Sequence, residues 1–277
     1  MSTIQNRDIG EDVLPRDVFD RNFLQSMSDI AEAYNNTNIP YVIHPNDGGM
    51  LNPSEKDIRH YKADGTSAID IIFRAMLATK ISSFAKILDM PSGHGRVLRH
   101  LIAAFPQSEI TACDIMPDAV QFCGDEFRVQ SVLSQDDFST LNFDSQFDLI
   151  WCGSLFSHLP QHKFVDCLRL FSRSLSPGGL AILTLHGRFS VSVGSGFYLP
   201  VEKFHRVEQA YRDCGFGYAD YADTETPLTN NYGVALSSPS FVLKHVEDDV
   251  SVRIVSFKER DWNNHQDALV LQKKDIT

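Results

Sequence analysis

A chain of 277 residues, 43% of them hydrophobic, is long enough for one large domain with additions and apolar enough for a packed core. Its 36 acidic against 25 basic residues give a formal net charge of −11, which speaks against a non-specific nucleic-acid binder and against an anionic membrane surface as partner. The five cysteines (Cys113, Cys123, Cys152, Cys167, Cys214) form no C-x-x-C pair, and most lie in apolar runs, the pattern of buried free thiols in a reducing compartment. The N-terminal stretch MSTIQNRDIGEDVLPRD lacks the apolar centre of a signal peptide and no apolar run reaches membrane-spanning length, so the expected location is cytoplasmic.

In chain order, residues 1–14 are polar and expected to be loose. Apolar residues then recur near a helical period from about Arg16 to Tyr34, and again from about Ser67 to Lys80. The stretch between, 35–65, is rich in Asn, Pro, Gly and charge and predicts loop with short turns. Residues 1–83 are thus expected to form an N-terminal helical cap on an α/β domain spanning 84–277. That domain opens with ILDMPSGHGRVLRHL (87–101): a short apolar strand ending at Asp89, a turn carrying Gly93 and Gly95, and an amphipathic helix closed by Pro106. Strand, glycine turn and helix make the first half of a βαβ unit, a natural cofactor seat. A dinucleotide fingerprint wants a third small residue where this chain has Leu98, which disfavours a nicotinamide cofactor. The next strand, EITACD (109–114), ends at Asp114, nineteen residues after Gly95, where a carboxylate suits a ribose diol.

These residues resemble motif I of the class I S-adenosylmethionine-dependent methyltransferases, a hydrophobic strand, an acid, then G-x-G-x-G. Asp89 matches the acid, Gly93 and Gly95 match the last two glycines, and Pro91 and Ser92 stand where the first glycine and a small residue are usual. The resemblance implies S-adenosylmethionine as cofactor and a Rossmann-like, doubly wound seven-stranded sheet of order 3-2-1-4-5-7-6. It also implies that Ile115 and Met116 flank the adenine, that Gln135 or Asp136 hydrogen-bonds its amino group, and that Tyr61 and the 44–52 loop line the substrate side. Later elements keep the family order. Helix 118–127 and strand 129–133 precede FDLIWCG (147–153), whose Cys152 and Gly153 would lie against the methionine part of the cofactor. Helix 161–175, the turn SPGG (176–179) and the buried strand GLAILTL (179–185) follow. Residues 187–237 exceed a minimal core and are expected to form an inserted lid with a helix from Val201 to Cys214. A helix capped at Ser238, with Pro239 in its first turn, leads to two antiparallel strands, 252–259 and 267–273.

Ligands of a doubly wound sheet sit beyond the carboxyl ends of its parallel strands. That rule brings forward His158 after the fourth strand, His186 after the fifth, and His265 with Asp261 and Trp262 in the loop 260–266. A histidine suits a general base for a hydroxyl acceptor near neutral pH. The ten histidines show no Cys/His zinc spacing, and no metal is expected. The expected activity is methyl transfer to a small-molecule or sugar-containing acceptor, with oxygen favoured. The alternatives are a nicotinamide-dependent oxidoreductase and a non-catalytic binding protein on the same scaffold. Oligomeric state is not readable from the sequence.

Overall fold

The computed structural model describes residues 20–48, 50, 52–194, 199–221, 232–249 and 251–275. The expected loose terminus, the start of the first helix and parts of the expected lid (195–198, 222–231) lie outside the described residues.

Two helices, α1 (Arg21–Asn36) and α2 (Glu55–Thr79), precede the first strand. α2 starts well before the expected Ser67, inside the stretch expected as loop. A closed capping box starts it there: Ser54 Oγ accepts from the Asp57 N–H, and the Asp57 carboxylate accepts from the Ser54 N–H. Apolar periodicity misses these first turns because they turn Asp57, His60, Tyr61 and Asp64 toward a cleft and leave Ile58 exposed.

β1 (Lys86–Asp89), α3 (Leu98–Ala104), β2 (Glu109–Asp114), α4 (Pro117–Phe127), β3 (Gln130–Leu133), β4 (Phe147–Cys152), α5 (Gln161–Ser174) and β5 (Leu175–Leu185) then alternate as parallel βα units. The SPGG segment ends α5 as expected, yet it forms the opening of β5 rather than a turn. Leu175 pairs with Phe147 and Leu180 with Leu149 across a register shift, and Gly178 absorbs it at φ +76°. α6 (Arg188–Val193), α7 (Val201–Cys214), β6 (Phe216–Asp220), β7 (Gly233–Ser237) and α8 (Pro239–Glu247) lead to β8 (Val252–Trp262) and β9 (Gln266–Lys273). The main sheet runs β3-β2-β1-β4-β5-β9-β8, with β9 antiparallel to both neighbours. β6 and β7 form a separate antiparallel pair, so this is the expected order 3-2-1-4-5-7-6 on a Rossmann-like doubly wound sheet.

Central strands covered on both faces must be apolar throughout, and successive residues go to opposite sides. Leu88, Ile150 and Cys152 join one buried cluster with Phe156, Phe164 and Phe171. Ile87, Leu149 and Trp151 join the other, with Ile69, Ile72 and Met76 of α2 and Leu98 and Leu101 of α3. α2 is thereby built into the core of one sheet face. The inserted region has a small core of its own, where Phe204 and Val207 of α7 meet Val234 and Leu236 of β7. It is tied to the main body by backbone bonds from Gly233 to His158 and from Ala235 to Ser157.

Candidate active site

The chain leaves β1 toward β2 and β3 on one side and later places β4 and β5 on the other, so the switch point lies between β1 and β4. A cleft of about 450 Å³ opens there, at the carboxyl ends of β1, β2 and β4. Pro91, Ser92, Gly93, Asp114, Ile115, Met116, Gln135, Asp136 and Gly153 all line it. Asp89, Gly95 and Cys152 do not: Asp89 and Cys152 are buried, and Gly95 is packed against Phe127.

The glycine turn has two different requirements. Gly95, at φ +81°, leaves no space for a side chain, because a Cβ there would stand 2.4 Å from the Phe127 ring. Gly93, at φ +50°, faces open space, with nothing within 4 Å of a Cβ position, so its backbone is approachable from the cleft. Its N–H donates to Asp114 Oδ2 at 2.7 Å, and the Met116 N–H donates to Asp114 Oδ1 at 3.0 Å. These two bonds fix the carboxylate at the cleft wall and leave each oxygen a second lone pair for a diol. Burial pushes the Asp114 carboxyl above its usual range, while the N–H groups of Met116 and Gly93 oppose the shift. Burial and then the Asp114 charge push Asp89 well above the carboxylate range.

Beyond Asp114, the half-buried Ile115 and Met116 offer apolar surface to a flat base, with buried Phe138 and Leu159 also in the wall. At the polar edge, the carboxylate of Asp136 is paired with the Lys163 ammonium, which also donates to the Asp136 carbonyl. Gln135 Oε1 accepts from Thr140 Oγ1.

The opposite end of the cleft is built by elements the motifs do not announce. Tyr61 donates to Asp47, while Asp64 receives Arg96 at 2.8 Å and Asn263 Nδ2 at 2.7 Å. Trp262 donates its indole N–H to the Asp64 carbonyl and lies 5.3 Å beneath the Arg96 guanidinium. The β8–β9 turn, with Asn263 and Asn264 in the left-handed region that Asn tolerates, is docked on α2 by the bond from the Asn263 N–H to Ser67 Oγ. Ser154, also left-handed at φ 61°, is held by its N–H to Thr184 Oγ1 and by Gln266 Nε2 on its hydroxyl.

His158, His186 and His265 come together but do not line the cleft. They form a file with ring centroids 5.8 Å apart at each step. His158 stacks on Tyr232, which does line the cleft, and its Nδ1, 2.7 Å from the Gly233 carbonyl oxygen, must carry the proton and donate it there. Burial holds His158 down to about 4 and His186 well below the usual imidazole range, and it lowers His265 as well. Trp262 reaches the cleft as expected, whereas Asp261 is engaged by Arg74 and Lys258. The histidines in the cleft wall are His60 and His94, neither singled out by the sequence. His94 was legible between the two glycines. Nothing marked His60, because its helix start was not recognised.

Residues 87–179 match the family model of a methyltransferase domain. No curated protein matches the chain. Among solved structures it is similar to an S-adenosylmethionine-dependent methyltransferase from Clostridium acetobutylicum, at 15% identity over 76% of this chain and 92% of that one, with a TM-score of 0.54. It is similar to an amino pentose methyltransferase from Micromonospora echinaspora involved in calicheamicin biosynthesis, solved with bound SAM (14%, 79% and 96%, TM-score 0.54). A third is the 1,6-didemethyltoxoflavin-N1-methyltransferase of Burkholderia thailandensis (14%, 92% and 90%, TM-score 0.53). At these identities the likeness is one of fold. Over residues 87–179 the chain matches a methyltransferase domain, and the fold around it is similar to that of S-adenosylmethionine-dependent methyltransferases of known structure.

Proposed function

We propose that this protein is an enzyme that transfers a methyl group from S-adenosylmethionine to a small-molecule or sugar-containing acceptor, with oxygen as the receiving atom. The observation that carries the reading is Asp114, pinned by the Gly93 and Met116 N–H groups at the wall of a cleft where the Gly93 backbone is open to a ligand. In this reading Asp114 accepts the ribose hydroxyls and Ile115 and Met116 hold the adenine. Asp136 or Gln135 takes its amino group, and Pro91, Ser92, Gly93 and Gly153 bound the methionine end. When bound, the cofactor supplies an electrophilic methyl on a sulfonium, displaced in line. The chain's part is to align the acceptor, and such positioning supplies up to about 7–11 kcal/mol.

The acceptor would sit between Ser154, Trp262, Tyr232 and the front of α2, under a cap built on α1 and α2 and a lid built on α6, α7, β6 and β7. An acceptor hydroxyl that reaches past Tyr232 would give its proton to the file His158, His186, His265. His158 suits this in geometry, since Nδ1 is bonded to Gly233 and Nε2 holds the lone pair. A nicotinamide cofactor is not favoured: Leu98, fully buried, stands where close packing wants a small residue. The test is transfer of a labelled methyl from S-adenosylmethionine across a panel of glycosides and small phenols. Transfer to a hydroxyl is expected, with His158→Gln or His265→Gln lowering kcat by about 10²–10⁴ while S-adenosylhomocysteine affinity holds. Transfer only to amines, at rates these substitutions leave unchanged, removes both the oxygen and the base.

A further inference from the structure

At the rim of the cleft the fold gathers three metal-ligating side chains that no sequence spacing announces. His44 comes from the loop between α1 and α2, His94 from between the two turn glycines, and Asp118 from the first turn of α4. One ligand atom of each lies within 4.8 Å of the other two. His94 is buried, with Nε2 3.4 Å from Asp118 Oδ2. His44 and Asp118 are half-buried, so solvent reaches the group. Asn46 stands beside it, supporting the Asp118 carboxylate through Nδ2 to Oδ2 at 3.0 Å, while its backbone N–H donates to His44 Nδ1 at 3.1 Å.

From this juxtaposition we propose that His44, His94 and Asp118 form a binding site for a divalent first-row transition metal ion, Zn²⁺ being the natural occupant. Two imidazoles and one carboxylate are a donor set for such ions, whereas Mg²⁺ and Ca²⁺ take oxygen ligands. The two imidazoles lie face to face, 4.5 Å between centroids and 6° from parallel. A metal must lie in the plane of each ring it binds, so ligation turns His44 about its Cβ–Cγ bond, out of the stack and off the Asn46 N–H. The ligand atoms then close from their present separation to metal distances of about 2.0–2.2 Å. Three protein ligands leave further positions for water.

The consequence is mechanical. Asp47 and Gly48 line the cleft from the cap side, and Gly93 and His94 line it from the sheet side. A metal held by His44, His94 and Asp118 clips these two walls together and fixes the cap loop over the cleft.

The test is independent of any methyl acceptor. Zn²⁺ is titrated calorimetrically into chelator-treated protein, and Co²⁺ serves as a visible-absorption probe of the same site. One ion per chain is expected. Loss of an outer-shell partner already costs about 10–100-fold in metal affinity, so His44→Ala and Asp118→Asn should each weaken binding by about 100-fold or more and abolish the Co²⁺ bands. Mg²⁺ at the same concentration should give no heat. Absence of Zn²⁺ binding by the wild type, or binding that survives both substitutions, overturns the site. Either result leaves the methyl-transfer reading standing, because that reading is measured with S-adenosylhomocysteine.

Discussion

Asp114 serves two sets of partners with one carboxylate. It receives the Gly93 and Met116 N–H groups and so shapes the turn, and its remaining lone pairs face the cleft. Asp114→Ala should therefore cost about 1.5–3 kcal/mol of S-adenosylhomocysteine affinity, roughly 10–150-fold in Kd by calorimetry. Wild-type affinity in that variant would displace the nucleoside from this wall. A pH effect follows with a definite sign. Only the ionised carboxylate accepts on both oxygens, and burial raises this carboxyl, so affinity should fall as pH is lowered toward the raised value. Asp114 was legible because an acid at the end of an apolar strand stands out. Lys163, Arg96 and Asp64 were not, since charges on helices and in a loop look like solvated surface until tertiary contacts join Lys163 to Asp136 and Arg96 to Asp64.

α2 carries the cap side of the cleft on its first turns, and those turns depend on the Ser54–Asp57 box. Ser54→Ala should cost about 0.5–2 kcal/mol in denaturant unfolding, with Ser54→Asp retaining most of the wild-type stability. Equal stability of the alanine variant would show that tertiary contacts alone hold the start of the helix. The same helix shows what periodicity reads and what it misses. Its core-facing back half, with Ile69, Ile72 and Met76 buried, was visible as a 3.6-residue repeat. Its front half faces polar groups and carries no such repeat. The strands β1, β2, β4, β5 and β9 were legible as apolar runs because helices or neighbouring strands cover them. β6 and β7 were not, because each is only five residues long, too short for a period to stand out, although Val234 and Leu236 are fully buried against α7.

Across the whole molecule, buried histidines and buried carboxyls pull the pH dependence of stability in opposite directions. His100 is sandwiched by hydroxyls, Tyr34 at 2.6 Å and Tyr41 at 3.0 Å, and thereby ties α1 and the cap loop to α3. Burial holds His100 and His158 each down to about 4. A base whose folded value lies below its unfolded one keeps its contribution at high pH and loses it as pH falls from about 6.5 toward 4. Asp267 acts in the opposite sense: burial raises it to about 6, so its contribution is present at low pH and is lost as pH rises from about 4 to 6. The raised carboxyls of Asp89 and Asp114 act with Asp267 and the lowered His186 acts with the other histidines, so the histidine part is isolated by substitution: the stability of His100→Gln relative to the wild type should rise from about pH 7.5 to about pH 5. Urea titrations of both proteins at the two pH values check this, and a relative stability that does not change with pH would contradict the buried neutral state of the His100 ring. No described helix is long and apolar enough to cross a membrane.

The central claim is that the cleft at the carboxyl ends of β1, β2 and β4 seats S-adenosylmethionine. Calorimetric titration of the full chain with S-adenosylhomocysteine, with NADH in parallel, tests it most directly. One-site saturable binding of S-adenosylhomocysteine and no heat from NADH is the predicted result. Binding of NADH alone would contradict the account and return the cleft to a hydride-transfer chemistry.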